Sequence, residues 1–215
     1  EEVKAKILCS PLETFIVCRS KSETYRLLGG VVPVPTIYPN PDAIEKYPVF
    51  AKPDKGQGSR HTHIVHTMEF LLHLLAENRQ LVVTEYLPGE EYTVDCFSDR
   101  DKGLLFCGGR QRIRTRSGIS MHSKSVPDSV FEECAESISQ VLTFHGAWFF
   151  QLKRDLNDNY KLLEVAPRIA GSMAVHRVQG INFALLNIYE MERIPYEIML
   201  NRLNVQIDRA LVNRY

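Results

Sequence analysis

Lys52 is the residue whose setting most directly suggests chemistry, because it ends a short apolar segment and precedes a polar loop, residues 53–62. A buried ammonium group is costly unless an anion compensates it. In the loop, Gly56 and Gly58 allow an anion to approach the backbone closely, and Ser59 adds a hydroxyl group. The loop has neither the ending of a Walker motif nor a dinucleotide fingerprint. These residues favour a phosphate site, with a plain surface loop and a lysine that extends to water as the alternatives.

Gln151 and Glu164 are predicted to face each other across a β-hairpin. Residues 157–158, an Asn-Asp pair, suit a two-residue turn, and that turn makes Gln151 the partner of Glu164. Their Cβ atoms would be about 5 Å apart, with Lys153 and Leu162 on the same face. An amide oxygen and a carboxylate are hard ligands that suit Mg²⁺. An ordinary Gln–Glu pair on a solvated face is the alternative.

Two further segments offer contacts for a nucleotide or an acid. Arg168 follows Glu164 closely and precedes a helix predicted to begin at Ser172, and an arginine beside a helix N-terminus favours an anion. The segment from Glu85 to Glu91 joins two predicted strands through a turn. Its backbone can offer hydrogen bonds to an adenine edge, and Glu91 can accept from ribose hydroxyls.

The elements that must position these residues follow from periodicity and turn signals. Ser20 and Glu23 predict a helix that stops at Gly29-Gly30. The other predicted helices span residues 68–75, 129–144, 172–178 and 183–192, and the predicted strands span 48–52, 81–86, 91–97, 103–116, 120–126, 148–155 and 160–165. This order predicts an α+β fold with a small lid-like unit before a larger, mostly antiparallel sheet covered by helices.

Composition excludes several classes of protein. The 215 residues are 44% hydrophobic, enough for a sizeable core, and 26 basic residues balance 26 acidic ones. The balance argues against nucleic acid and membrane surfaces as partners. The longest apolar stretches fall short of the roughly 20 residues of a membrane span, and no signal peptide is evident, so a cytoplasmic location is expected. The five cysteines lack a Cys-x-x-Cys pair, which argues against a disulfide framework or a zinc ribbon.

Four arginines, Arg110, Arg112, Arg114 and Arg116, alternate along one predicted strand and are expected on a single face. Acidic-substrate or γ-phosphate binding is the favoured interpretation, with Arg114 or Arg116 as the best candidates. RNA binding and a solvated edge strand are the alternatives, but no aromatic residues interleave to stack bases. A zinc site at His61, His63 and His66 and a nucleophilic role for Cys107 are both disfavoured.

Taken together, these segments resemble the ATP-grasp superfamily, in particular its carbamoyl-phosphate-synthase-like and carboxylate–amine ligase branch. The family has a basic residue before a short helix, then a Gly-(Ile/Val)-Pro-x-Pro connector, a Lys-Pro before a glycine loop, an acidic hinge, and a Gln followed by Glu-x-Asn-Pro-Arg. The corresponding segments here are Lys21, residues 30–35, Lys52-Pro53 with residues 56–60, Glu85 to Glu91, and Gln151 with residues 164–168. The resemblance covers almost the whole chain.

The resemblance implies an ATP-grasp fold with a small α/β lid subdomain, residues 20–86, and a larger antiparallel-sheet catalytic subdomain, residues 87–215. It implies that ATP and Mg²⁺, with Mn²⁺ as an alternative, are the cofactors. The nucleotide would be held by Lys21, Lys52, Gly56, Gly58, Ser59, Glu85, Tyr86, Leu87 and Glu91, the metal by Gln151 and Glu164, and phosphate or substrate by Arg168, Arg114 or Arg116.

The implied reaction activates a small carboxylate as an acylphosphate, which an amine or similar nucleophile then attacks. The partners are then small-molecule carboxylates and amines, with a homodimer and fused or missing domains left open. Two departures from the family pattern support an alternative, an ATP-binding module with impaired or no catalysis. Ala166 replaces a metal-binding Asn, and residues 1–19 are interpreted as a remnant of, or linker from, a missing amino-terminal domain.

Overall fold

Two antiparallel sheets form the framework of the protein, whose computed structural model describes residues 5–56, 58–201 and 203–209. The smaller sheet has the order β2-β1-β3, and the larger has the order β8-β7-β4-β5-β6-β9. The strands are β1 Val49–Pro53, β2 His63–Val65, β3 Leu81–Glu85, β4 Glu91–Asp99, β5 Gly103–Arg116, β6 Ile119–Ser125, β7 Gly146–Arg154, β8 Tyr160–Ala166 and β9 Gln206–Asp208. The helices are α1 Leu12–Arg19, α2 Lys21–Leu28, α3 Met68–Glu77, α4 Ser129–Val141, α5 Ala174–Arg177 and α6 Phe183–Glu192, with a 3₁₀ turn at Pro41–Ala43. The predicted α+β class is confirmed.

The smaller sheet buries one face in a core of its own. That core contains Val49, Ala51, Val65, Leu71, Leu74 and Val83. Because side chains alternate along a strand, Val49 and Ala51 of β1 enter this core, whereas Phe50 and Lys52 point to the opposite face. The alternation therefore directs the Lys52 ammonium group away from the small core and toward the cleft between the sheets.

The larger sheet is covered by helices on both faces. On one face α2 and α4 pack over a core that includes Tyr92, Val94, Trp148, Phe150 and Leu152. On the other face, α5 and α6 pack over a core that includes Phe97, Phe106, Phe149, Met173 and Phe183. The central strands β4 and β7 are buried over most of their length, as expected of a sheet between two helical layers.

The segment before Pro33 packs against the larger unit. The Thr14 hydroxyl of α1 donates to the carbonyl of Thr143 at 2.8 Å, and Leu28 of α2 is fully buried in the core of the larger sheet. From sequence, residues 1–19 were interpreted as a remnant of, or linker from, a missing amino-terminal domain, and the smaller unit was predicted to begin at residue 20. This packing favours a later boundary, and we propose that the smaller unit spans residues 36–86.

The secondary structure follows the predictions closely, with three omissions. Helix α6 and strand β5 have the predicted bounds, and the Ser20 side chain caps α2 by accepting from the N–H of Glu23. Strands β2 and β9 were missed because three residues are too few to show alternation, and α1 was missed because its apolar residues lie on no single face. The helix predicted from Ser172 has only the four residues of α5, and α4 ends before Phe144.

The two-residue turn predicted for the β7–β8 hairpin is wrong, although the pairing inferred from it is correct. The last pair before the loop is Arg154 with Tyr160, so the loop has five residues, 155–159. The Asp155 carboxylate stabilises it by accepting from two backbone N–H groups of the loop. A β-bulge beside Gln151 then shifts the register by one residue and restores the pairing of Gln151 with Glu164.

The same bulge corrects the predicted face of Leu162. Leu162 pairs with Leu152, and both side chains are buried in the core of the larger sheet. Leu163 takes the cleft side instead, together with Lys153. Within the residues that the structure describes, no helix is long and apolar enough to cross a membrane.

Candidate active site

The cleft between the two sheets collects all the residues predicted to hold nucleotide or metal. They line one cavity of about 210 Å³, which contains Lys21, Lys52, Gly56, Gly58, Ser59, Glu85, Tyr86, Leu87, Glu91, Gln151 and Glu164. These residues come from five separate segments, so the fold alone assembles them. The structure thus brings these residues together as predicted, whereas their individual roles remain predictions.

Lys52 is a buried cation at the wall of this cavity. Its side chain is 5% exposed, and its ammonium group donates to the Tyr25 hydroxyl at 2.6 Å. No carboxylate of the described residues lies within 4.0 Å of it. Burial lowers the pKa of Lys52 to about 8, repulsion from Lys21 adds to the shift, and Glu164 and Glu91 oppose it. An incompletely compensated ammonium group of this kind suits an anionic ligand.

Tyr25 is a site residue that sequence reasoning missed. Its ring is buried in α2, and its hydroxyl donates to the carbonyl of Leu163 in β8 at 2.7 Å while accepting from Lys52. The Lys52 ammonium group also lies 5.1 Å from the centre of the Tyr25 ring. Tyr25 therefore ties the lysine to the strand that carries Glu164. The only signal in the sequence was its position on the buried face of the predicted helix.

Lys21 reaches the same cavity because Asp54 fixes the start of α2. The Asp54 carboxylate accepts from the Ser20 hydroxyl and the Ser22 N–H, each at 2.8 Å. The carbonyl of Asp54 accepts from the Lys21 ammonium group at 3.2 Å. Burial lowers the pKa of Lys21, and the charges of Glu164 and Asp54 oppose this effect. The two lysines and Glu164 thus form one electrostatically coupled group.

The hinge at Glu85 to Leu87 presents backbone groups to the cavity. The Glu85 carboxylate accepts from the N–H of Thr36 at 2.8 Å, which fixes the hinge to the connector before β1. Among the described residues, the backbone groups of Tyr86 and Leu87 make no hydrogen bond. They remain available for a ligand that offers a donor beside an acceptor, as an adenine edge does.

The two residues predicted to bind metal, Gln151 and Glu164, lie opposite each other. Paired across β7 and β8, both side chains reach the cavity. Among the described residues, no group of three or more His, Cys, Asp and Glu side chains could hold a metal by itself. Ala166, two residues beyond Glu164, packs against the core near Phe149 instead of offering a ligand. A cation here would need most of its ligands from water and a bound phosphate, which is typical of Mg²⁺.

The arginines of β5 do not share one positive face. Two β-bulges, between Arg112 and Arg114 and between Arg114 and Thr115, break the alternation on which that prediction depended. Arg110 is buried and pairs with Asp95 at 2.6 Å, and Arg112 lies 2.7 Å from Glu91 in an ion pair. Arg114 instead pairs with Asp208 of β9 at the exposed end of the strand. Neither Arg114 nor Arg116 lines the two cavities of the cleft.

Glu91 is therefore engaged with Arg112 in addition to facing the cavity. The Arg112 guanidinium group donates to the carbonyl of Gly118 at 2.8 Å, which connects the hinge strand β4 to the β5–β6 turn.

Arg168 lies just after the end of β8, exposed, with its guanidinium group 5.0 Å from the Phe149 ring centre. It lines a second, larger cavity of about 750 Å³ that adjoins the first. Because α5 has only four residues, its dipole adds little to an anion site there.

The glycine loop rests on the β5–β6 turn. Gly58 and Gly118 both have positive φ values, of 67° and 73°, and a Cβ atom at Gly118 would lie 2.9 Å from the Gly58 backbone. This contact requires glycine at residue 118. The smaller unit is thereby held against the larger sheet directly over the cavity.

Two antiparallel sheets with a polar cleft between them define the ATP-grasp class of fold. The biotin carboxylase domain of the Hydrogenobacter thermophilus 2-oxoglutarate carboxylase, in complex with magnesium ADP, ADP and bicarbonate, superposes with a TM-score of 0.76 and 14% identity, over 90% of this chain and 50% of that chain. N5-carboxyaminoimidazole synthetase from Staphylococcus aureus, complexed with ADP, gives a TM-score of 0.75 and 16% identity, over 93% and 56%. L-amino acid ligase from Bacillus licheniformis gives 0.65 and 20% identity, over 85% and 50%.

This chain thus spans about half the length of those structures. No curated protein matches its sequence. Residues 77–206 match the family described as ATP-grasp in the biosynthetic pathway with Ter operon. Because the match covers more than half of the chain, the protein belongs to that ATP-grasp family.

Proposed function

We propose that this chain binds ATP with Mg²⁺ in the cleft and contributes the nucleotide site of an ATP-dependent ligase that joins a small carboxylate to an amine or similar nucleophile. The observation that carries the proposal is the convergence of buried Lys52, Lys21 and the Gln151–Glu164 pair on one cavity beneath a glycine loop. Two cations and two hard oxygen ligands in one place suit a metal-bound polyphosphate better than any neutral ligand.

In this proposal, each group of cleft residues contacts a different part of the nucleotide and its metal. Lys52 and Lys21 neutralise phosphate charge, and the backbone of the glycine loop donates to phosphate oxygens. The backbone of Tyr86 and Leu87 hydrogen-bonds to the adenine edge, and Glu91 accepts from ribose hydroxyls. Gln151 and Glu164 bind the metal. When bound, ATP supplies the phosphoryl group that converts a carboxylate into an acylphosphate. Catalysis by such a site depends on positioning and charge neutralisation.

The proposal is supported by the ADP, ATP or Mg²⁺ in the complexes of proteins with the same fold. For this chain, the proposal depends on the residues that line its own cleft. A second candidate function, ATP binding with impaired or no catalysis, is favoured by Ala166, whose methyl group cannot ligate a metal. The two candidates share the nucleotide site and differ only in turnover.

Calorimetric titration of ATP with and without Mg²⁺ tests the shared site. We expect binding to require Mg²⁺, and Lys52→Ala and Glu164→Ala to weaken it by roughly 10- to 100-fold, since a charge-assisted contact contributes about 1.5–3 kcal/mol. Lys124→Ala is the matched control, because Lys124 is an exposed strand lysine outside both cavities. Equal affinity in the wild-type protein and both site variants would contradict the proposal.

Phosphate release separates the two candidates once ATP binding is established. Small carboxylates are supplied with an amine, and ligase activity predicts phosphate release that depends on the carboxylate. Replacing Ala166 with Asn is expected to raise the rate if the missing ligand limits turnover. Absence of release with the Asn variant as well would favour the binding module.

A further inference from the structure

The second cavity is strongly cationic. About 750 Å³ in volume, it adjoins the nucleotide cavity, and the residues that line both are Lys21, Gly56, Gly58, Arg60, Gln151 and Glu164. Six arginines line it, namely Arg19, Arg60, Arg110, Arg112, Arg168 and Arg209. Among its described lining residues, Glu164 is the single carboxylate. An excess of positive charge of this size calls for an anionic occupant.

Most of these arginines have no compensating carboxylate. Arg110 is paired with Asp95 and Arg112 with Glu91. For the remaining four, which are Arg19, Arg60, Arg168 and Arg209, no carboxylate of the described residues lies within 4.0 Å. The local charge is therefore positive although the whole chain is neutral. Mutual repulsion destabilises such a cluster unless anions bind between the guanidinium groups.

Two of the four uncompensated arginines contact the same loop in the wall of the cavity. Arg168 donates to the carbonyl of Ile169, and Arg209, which follows β9, donates to the carbonyl of Gly171, so both guanidinium groups contact the backbone of the short loop after β8. Both line the second cavity and neither lines the nucleotide cavity. They therefore differ from Lys21 and Arg60, the cations that line both cavities.

A buried arginine in the wall is already oriented. Arg110 is 1% exposed, and Asp95 holds it through Nε at 2.6 Å and through one Nη at 3.3 Å. His176 Nε2 lies 3.1 Å from the same carboxylate. The other Nη of Arg110 has only a long contact of 3.5 Å to Ser123. A guanidinium group fixed in this way is preorganised for a ligand oxygen.

The size of the space limits the occupant to a small molecule, since sites for such ligands measure roughly 300–1,000 Å³. A single carboxylate at the shared end, near Lys21, would leave the charges of Arg168 and Arg209 uncompensated. We propose that the acid activated by this protein carries at least two anionic groups, a reacting carboxylate near Lys21 and a second carboxylate or phosphate held by Arg168 and Arg209. The role of the acid rests on the proposed function, whereas its binding does not.

Paired probes test this directly by calorimetry at constant ionic strength, with a non-hydrolysable ATP analogue and Mg²⁺ present. Succinate is compared with butyrate, and phosphoglycolate with glycolate, so each pair differs in the number of anionic groups. We expect the doubly charged member of at least one pair to bind about tenfold or more tightly, the equivalent of one good charge-assisted contact. Preference for succinate or for phosphoglycolate identifies the second group.

Variants then locate the second group. Arg168→Gln and Arg209→Gln are each expected to weaken the doubly charged probe by roughly fivefold or more, and by more than either weakens the singly charged probe or the ATP analogue. Arg79→Gln is the control, because Arg79 is exposed and lines neither cavity. Equal affinity within both pairs, no binding of either doubly charged probe, or insensitivity to both variants would overturn the proposal.

Repeating the titrations without nucleotide separates this proposal from the preceding one. If the ATP analogue fails to bind but a doubly charged acid still binds and depends on Arg168, the acid site stands and the ligase proposal fails. If the analogue binds and both acids bind no more tightly than their singly charged counterparts, the nucleotide site stands and the acid proposal fails.

Discussion

Lys52 combines burial with a role that requires charge. Its pKa falls from an ordinary value of 10.5 to about 8, chiefly through burial. Between these two values the unfolded chain binds a proton that the folded protein does not, so the free energy of unfolding rises with pH in this window. Below pH 8 the ammonium group is present in both states and its burial destabilises the fold. The residue is thus maintained at the expense of stability, as is common at functional sites.

We predict that Lys52→Met stabilises the ligand-free protein at pH 7 by roughly 1–3 kcal/mol, because a linear apolar side chain replaces a buried cation. Tyr25 keeps a hydrogen bond to Leu163 in this variant. Urea unfolding between pH 7 and 10 should show the advantage shrinking above pH 8. A variant less stable than the wild type at pH 7 would instead mean that the bond to Tyr25 already compensates the charge.

At the scale of elements, the glycine loop and the β5–β6 turn act as one unit. Gly118 lies in the turn with a positive φ value and contacts the backbone of Gly58 in the loop. Arg112 reinforces the turn by donating to the carbonyl of Gly118. The loop over the phosphate site is therefore supported by a strand pair that belongs to the other sheet.

We predict that Gly118→Ala separates the loop from the turn, because the added Cβ would lie 2.9 Å from Gly58. Trypsin cleavage at Lys55 and Arg60 should become faster, and ATP should protect these sites less. Gly103→Ala is the matched control, since Gly103 also has a positive φ value but no atom within 4 Å of its Cβ position. Both variants should lose about 1 kcal/mol to backbone strain. Equal cleavage rates in the two variants would show that the contact does not hold the loop.

At the scale of the whole molecule, the cleft lies between two units with separate cores. The smaller sheet has its own apolar cluster, whereas α2, which carries Lys21 and Tyr25, is packed on the larger sheet. A nucleotide that contacts Lys52 from one unit and Glu164 from the other would connect the two. Binding energy would then appear as stability of the entire chain.

We predict that ATP with Mg²⁺, at about 100 times the dissociation constant, raises the free energy of unfolding by roughly 2.7 kcal/mol. For a chain of this length the melting temperature should rise by about 5–10 °C. Glu164→Gln should lose most of this shift, and ATP with a chelator should give little. Thermal denaturation monitored by circular dichroism measures it. A full shift in the presence of the chelator would contradict metal-dependent binding.

Much of the fold was determined by local sequence. Alternation along β1 directs Lys52 out of the small core, and the Ser20 cap with Glu23 starts α2 at the residue that presents Lys21. These features depend on neighbouring residues and on side-chain period, so they can be read without partners. The convergence of Lys52, Gln151 and Glu164 on one cavity was predicted only through the resemblance of their motifs to the ATP-grasp superfamily, because no local pattern brings separate segments together.

Only the tertiary structure decided which charges are compensated and which registers hold. The bulges beside Gln151 and Arg114 arise from strand pairing, and they change the face of Leu162 and divide the arginines of β5. Tyr25 became a site residue because residues far away in sequence, Lys52 and Leu163, lie against its hydroxyl. The sequence by itself determined which chemical groups are present and in what order. Long-range contacts decided their partners, because pairing energies depend on distances that no local pattern contains.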